Sequence, residues 1–484
     1  MIMNEELKAL KPEKVFKYFA EILEIPRPSK KEDKIIAYLM NWGETRKLET
    51  LRDEIGNVII RKPATKGYET KPWVCLQSHM DMVCEKNSDK VFDFNKDAIE
   101  AYVEDGWLKA KGTTLGADDG IGMAIALAIL DSDDVEHGNI ECLFTVDEET
   151  GLSGAMALSP DVLKSRILIN LDSEDEGELF IGCAGGKDTL AKIPYETEEA
   201  PEGKAYKISV LGGKGGHSGD DINKGLANAN KVLNRILWSI DKAMVFALAS
   251  FEGGNLRNAI AREANAVVVV GQGDEKEMIE MVEQYNKDIR FEFRSTEPNL
   301  QVKIEEVPCP AEVIDEMTQD ELLNVLYAVP HGVLSMSREI PNFVETSTNL
   351  ASIKMIDNHF VIATSQRSSI DTAKEAACDK NAACFLLVGA EVTHGDGYPG
   401  WVPNPDSKIL KVAEQSYERL FGKKPIVRAI HAGLECGLIG EKYKGMDMIS
   451  FGPTLRGVHS PDEKLEISTV ELCWQHTLDV LKNV

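Results

Sequence analysis

The chain has no uninterrupted apolar run that reaches the ~18 residues a transmembrane helix requires, so no segment is expected to span a membrane. It has no disulfide pattern either. Nine cysteines are scattered, odd in number and without a C-x-x-C spacing. Several lie in apolar runs (Cys75, Cys142, Cys378, Cys384), which reads as reduced, buried thiols of a cytoplasmic protein. Positive charge is scarce: 54 Lys and Arg stand against 80 Asp and Glu, a formal net charge of −26. That balance argues against nucleic acid or an anionic membrane as a partner. Met1–Leu10 is polar and mixed in charge, unlike a secretory signal.

What is present is ample. The 484 residues suggest two to four domains at about 150 residues each, and 43% hydrophobic content can fill their cores. The organising stretch is Trp73–Val83, WVCLQSHMDMV. Its apolar start reads as a buried strand, and it stops at Ser78-His79-Met80-Asp81. In extended chain, residues two apart point the same way, so His79 and Asp81 are expected side by side. An aspartate on one ring nitrogen fixes the tautomer and leaves the other nitrogen for a metal. The pattern recurs. Ile140–Val146 reads as a strand ending in Asp147-Glu148-Glu149, and Ile167–Leu171 as a strand ending in Asp172. GADDG (Gly116–Gly120) opens an almost wholly apolar helix, Ile121–Leu130, and Met446–Phe451 precedes a loop with His459. Open α/β sheets place their sites at the carboxyl ends of strands, where these acids and histidines accumulate. Plainer accounts exist for each. Aspartate is a preferred N-cap, so one of Asp118 and Asp119 can serve the helix alone. Glu148 and Glu149 fit a solvated loop, with Gly151 allowing a sharp turn.

Along the chain the fold class is α/β with a large interruption. Helices are expected over Pro12–Leu23 and Lys31–Trp42, separated by the turn IPRPS, Ile25–Ser29. From about Ala184 the element order becomes β-α-β-β-α-β, a ferredoxin-like unit whose long helix is read as Asp221–Asp241. A second run, α-β-β-α-β, follows. The organisation is a catalytic domain in two parts, residues 1–183 and 394–484, interrupted by an α+β insert over 184–393. The insert reads as two similar modules, about 184–310 and 311–393.

His79, Asp81, Asp118, Glu148, Glu149, Asp172 and His459 form the candidate site. Two histidines with several carboxylates suit Zn²⁺, with Mn²⁺ or Co²⁺ as substitutes, and the lack of cysteine points to a catalytic metal. The donors are too many for one four-coordinate zinc with an open position. They suffice for two metals if one carboxylate bridges, with a spare carboxylate as general base.

SHMDMV, GADDG, VDEETG, LDSE and HSPDE, in that order, resemble the M20 family of co-catalytic zinc metallopeptidases. Within it the chain is similar to the aminoacyl-histidine (Xaa-His) dipeptidase type, over essentially its whole length, IPRPS and HAGLECG included. The resemblance implies a mixed-sheet zinc-peptidase domain with a lid insert of two ferredoxin-like modules. It implies two Zn²⁺, with His79 and Asp172 on one, Glu149 and His459 on the other, and Asp118 bridging. Asp81 would orient His79, and Glu148 would be the general base. In the insert, His217 (GGHSG) would stabilise the oxyanion, Asn258 (GGNLRNAIAREA) would lie near substrate, and Arg367 (SQRSS) would grip the substrate carboxylate. Glu435, in HAGLECG, is a candidate for the free amine. The implied activity is hydrolysis of small dipeptides by a cytoplasmic monomer or homodimer; smaller relatives supply the lid histidine from a partner subunit, and the two-module insert allows His217 to act from its own chain, so both arrangements stay open. The alternatives are an N-acyl-amino-acid deacylase or tripeptidase on the same scaffold, or a non-catalytic binding protein.

Overall fold

A computed structural model describes residues 5–484; the first four residues of the polar opening stretch lie outside the described residues. The chain forms two compact units. The first comprises the chain up to Gly182 with Trp401–Ala429 and Leu434–Val484, and the second comprises Cys183–Gly400 with Ile430–Gly433.

The first unit is built on an eight-stranded mixed sheet. Its order is Glu49–Arg52, Val58–Lys62, Ile140–Thr145, Val74–His79, Ile167–Asn170, Asp447–Ser450, Glu178–Cys183 and Ile426–Ile430. The strands Val74–His79 and Ile140–Thr145 are buried at every position, as parallel strands covered on both faces must be. Four central strands run parallel in close register: His79 opposes Thr145, Gln77 opposes Asn170, and Ser450 opposes Asn170. Their carboxyl ends therefore line one edge, and Asp81, Glu148, Glu149 and Asp172 follow directly. The helix Ala117–Leu130 packs on the strand Val74–His79 and on the helix Glu13–Leu23, whose Val15, Phe16, Phe19, Ile22 and Leu23 are all buried. The apolar run thus becomes a buried helix, as its composition requires.

The second unit is one nine-stranded antiparallel sheet with helices against it. Gln301–Val307, Lys204–Leu211, Ala264–Val270 and Phe246–Gly253 lie in that order, which is 4-1-3-2 in chain order. Val344–Ile356, His359–Ser368, Gly185–Pro194 and Glu391–His394 continue the sheet as 2-3-1-4 of a second set. Each half is therefore ferredoxin-like. The strand missing from the second sequence pattern is Gly185–Pro194, which precedes the first module in the chain and pairs on both sides. The first module is thus inserted between the first strand of the second module and its remainder.

One element is shorter than its sequence expectation by more than a third of its length. The helix read as Asp221–Asp241 begins only at Ala229. Gly225 adopts φ +69, outside the helical region, and Asn228 caps the helix by accepting the N–H groups of Asn230 and Lys231 at 3.0 and 3.2 Å. Among the described residues no helix is long and apolar enough to cross a membrane, and all nine cysteines are free thiols.

Leu127 is fully buried in the helix Ala117–Leu130. Leu127→Ala is expected to lower the unfolding free energy by about 2–5 kcal/mol, against less than about 0.5 kcal/mol for Ala at exposed Leu256, read by urea denaturation.

Candidate metal centre

His79 closes its strand with only 1% of its side chain exposed. Its Nδ1 lies 3.3 Å from Asp81 Oδ1, the side-by-side arrangement expected for residues two apart. Its Nε2 faces the other way, 3.0 Å from Asp118 Oδ1 and 3.6 Å from Asp172 Oδ1. Burial alone would discharge His79, but Asp172, Asp118 and Asp81 outweigh it and raise its pKa well above the usual range.

Asp81 has more to hold than the histidine. It accepts the Ser29 hydroxyl at 2.7 Å and the backbone N–H groups of Glu148 and Glu149 at 3.0 and 3.3 Å. Burial opposes its charge, yet the bonds from His79, Ser29 and Glu148 keep it lowered. One carboxylate thus ties the end of the His79 strand to the start of the Glu148–Glu149 turn. That turn is not made by Gly151. Asp147 (φ +50) and Leu152 (φ +54) take the left-handed conformation instead. For Asp147 the local cost is offset by its own side chain, which accepts the hydroxyls of Thr150 and Ser153.

Of the GADDG aspartates, Asp119 serves the helix: its Oδ1 accepts the N–H of Gly122 at 3.1 Å. Asp118 serves the centre. Its Oδ1 faces His79, and its Oδ2 lies 3.1 Å from Nε2 of His459. The same His459 nitrogen is 3.0 Å from Glu149 Oε2. His459 reaches this position from a left-handed backbone, φ +61, a strained conformation for a non-glycine residue.

Three sets of donors come within 4.8 Å of one another: His79, Asp118 and Asp172; Asp118, Glu149 and His459; and His79, Glu148 and Glu149. The electrostatics fit cations. Burial pushes Asp172 up to about 7 and Glu174 up to about 8, with neighbouring acids adding to both, and it raises Glu148 well above the carboxylate range. Hydrogen bonds to Asp118 and Glu149 push His459 up to about 11. Glu149 Oε1 is buried without a hydrogen-bond partner among the described residues. Oxygen and imidazole donors crowded in this way are what divalent cations neutralise, and the set suits Zn²⁺, Mn²⁺ or Co²⁺.

Glu435 opens the helix Glu435–Lys442 and is fully buried beneath the same strands. Its Oε2 accepts Gln77 Nε2 and Thr145 Oγ1, both at 2.6 Å, while Oε1 has no partner among the described residues. Burial pushes it up to about 7.

The remaining candidates belong to the second unit. His217 Nδ1 accepts the N–H groups of Gly219 and Asp220 at 3.3 and 3.2 Å, which assigns the ring proton to Nε2. That nitrogen lies 3.3 Å from Arg367 Nη2, so two donors face each other, an arrangement an anionic oxygen satisfies. Arg367 is buried and also donates to Ser218 Oγ at 3.2 Å and Tyr398 Oη at 3.1 Å. Asn258 is exposed on the neighbouring strand connection, where its carbonyl accepts the Ser218 N–H at 2.8 Å. Sequence reasoning gave no part to Ser29, Gln77 or Tyr398. Ser29 sat inside a quoted motif, IPRPS, whereas nothing in the sequence around Tyr398 distinguishes it.

Residues 75–483 match the model of Peptidase family M20/M25/M40. The chain is similar to the cytosol non-specific dipeptidase of Escherichia coli (strain K12), at 41% identity over 480 residues, 99% of each chain. Its structure is similar to that of the aminoacylhistidine dipeptidase from Vibrio alginolyticus, with a TM-score of 0.90 at 41% identity, covering 99% of this chain and 98% of that one. The aminopeptidase PepT of Bacillus cereus ATCC 10987 shares the fold, with a TM-score of 0.58 at 18% identity over 98% of each chain. With its family match spanning most of the sequence and a relative aligned end to end, the chain belongs to Peptidase family M20/M25/M40 and is a peptidase.

Proposed function

We propose that the chain is a cytoplasmic dipeptidase that holds two divalent cations, Zn²⁺ by the chemistry of its donors. The observation that carries this reading is Asp118, whose two carboxylate oxygens face two different histidines, His79 and His459, at 3.0 and 3.1 Å. His79 and Asp172 would hold one ion, Glu149 and His459 the other, with Asp118 shared. Ions held there would polarise the scissile carbonyl and make water acidic enough to attack at neutral pH. Glu148 takes the proton of the attacking water and delivers it to the departing amine, so the carboxylate is regenerated each cycle. Asp81 keeps the His79 ring oriented, with Nε2 toward Asp118 and Asp172. The unpartnered Oε1 of Glu435 lacks a donor that a substrate ammonium supplies, which supports its role toward the free amine. Arg367 and the Nε2 proton of His217 form a donor pair suited to an anionic oxygen. Asn258 is proposed to contact substrate.

The relatives differ in the breadth their names imply. One is named non-specific and one aminoacylhistidine dipeptidase. Xaa-His dipeptides are accordingly proposed as substrates within a wider dipeptide range.

Three measurements test this. Chelator-stripped protein is expected to regain cleavage of β-Ala-His, Gly-His and Leu-Leu on addition of zinc, leaving a tripeptide and an N-acetyl amino acid intact. Restored cleavage of the acetylated compound alone would make the chain a deacylase. Glu148→Ala is expected to lower kcat by at least about 10²–10⁴-fold while metal content stays at two per chain, read by elemental analysis. Arg367→Lys, which keeps the charge but loses the planar fork, is expected to raise KM for dipeptides about tenfold or more.

A further inference from the structure

The Leu115–Asp118 segment, which delivers Asp118, is gripped from two sides by buried charges that bond to its backbone. On one side is Glu463, 3% exposed. Its Oε2 accepts the N–H groups of Leu115 and Gly116 at 2.7 and 2.9 Å, and its Oε1 those of Ala117 and Asp118 at 2.7 and 3.3 Å. Four successive backbone donors thus converge on one carboxylate. On the other side is Arg27, 1% exposed. Its Nη1 donates to the carbonyls of Met80 and Asp81 at 3.1 and 2.6 Å, and its Nη2 donates to the carbonyl of Gly116. The fit leaves no spare room: a Cβ at Gly116, which has φ +71, would fall 2.7 Å from Arg27 Nη2, and one at Gly120 would fall 2.6 Å from it.

The connectivity gives these bonds a consequence. Glu463 lies four residues after His459 in the same loop, and that loop is closed on itself by Glu463 N–H to the Ser460 carbonyl at 3.0 Å and Ser460 Oγ to the Gly457 carbonyl at 2.7 Å. Glu463 therefore joins the His459 loop to the Asp118 loop. Arg27 joins the end of the His79 strand to the same Asp118 loop. Ionised groups bonded to several backbone dipoles are stronger and more directional than neutral contacts, and here they fix peptide groups rather than mobile side chains.

We propose that Arg27 and Glu463 are positioning residues that form a clamp on the Asp118 loop, each setting the affinity of one metal position. Glu463 governs the position shared by Asp118, Glu149 and His459, and Arg27 the one shared by His79, Asp118 and Asp172. The proposal rests on the dinuclear reading above.

The test is a zinc titration of chelator-stripped protein against a chromophoric chelator, with thermal unfolding of each metal-free protein alongside. His459→Ala and His79→Ala identify which binding event belongs to which position. Glu463→Gln is isosteric and is expected to weaken the event lost in His459→Ala by about 10–100-fold while leaving the other within about threefold. Arg27→Lys is expected to do the reverse. Wild-type affinities in both variants would overturn the clamp. So would equal loss at both positions in step with a fall in melting temperature, because that is the signature of an ordinary structural contact. If Glu463→Gln does not fold, Glu463→Asp carries the same expectation and the Arg27→Lys arm stands independently. Wild-type protein that takes up fewer than two zinc ions would overturn the dinuclear reading, and the clamp with it.

Discussion

Asp118 stands between two histidines, and everything around it follows from the cost of putting it there. A carboxylate in a nearly closed pocket is held ionised only by opposite charge or by hydrogen bonds. Here His79 and His459 supply the protons that lower it against its burial. Each histidine is in turn held by more acid, Asp81 and Asp172 on one side and Glu149 on the other. The cluster therefore has more negative than positive charge at every scale. In a chain with a net charge of −26, surface acids spread this burden over solvent, but these acids cannot. Divalent cations are the economical solution, and the donor types fit them.

Holding such a cluster in place falls to the backbone. Asp81 spends two of its acceptor sites on the peptide N–H groups of Glu148 and Glu149, and Glu463 spends four contacts on the segment before Asp118. These bonds link loops far apart in sequence through groups that cannot change rotamer. Backbone bonds of this kind limit the reorganisation that binding a cation would otherwise demand of the donor set.

This division explains what could be read in advance. The parallel strands are legible because short apolar runs bounded by polar residues have few alternatives, and their ends are legible because His79, Asp172 and the glutamates interrupt them. The i, i+2 geometry of His79 and Asp81 needed only an extended chain. The strand Gly185–Pro194 was not legible: GGKDTLAKIP starts with two glycines and mixes polar with apolar residues, and only pairing on both sides makes it a strand. The start of the helix lies eight residues later than expected because Ile222 and Leu226 extend its apolar spacing backward, while Gly225 and the Asn228 cap decide the boundary. Glu463 was visible inside HSPDE, but its work is done on backbone N–H groups, which carry no sequence signal. Arg27 is similar, since all its acceptors are carbonyls.

Adjacent acids illustrate how local geometry assigns different tasks to identical side chains. Asp118 and Asp119 are neighbours, yet the backbone leaves helical geometry at both, so one carboxylate turns to the histidines and the other to the N–H of Gly122. Glu148 and Glu149 begin a single helical turn, Glu148–Gly151, whose successive side chains diverge by about 100° around the axis. With both N–H groups fixed to Asp81, the turn cannot rotate, and the divergence becomes a fixed assignment. Glu149 meets His459 at 3.0 Å, and Glu148 is left beside the cluster without that partner. The role proposed for Glu148, to receive a proton and return it, requires a carboxylate that is not committed to such a partner. The left-handed backbone at Asp147 (φ +50) precedes the turn, and because residues 148 and 149 are the same amino acid, position alone distinguishes the two carboxylates.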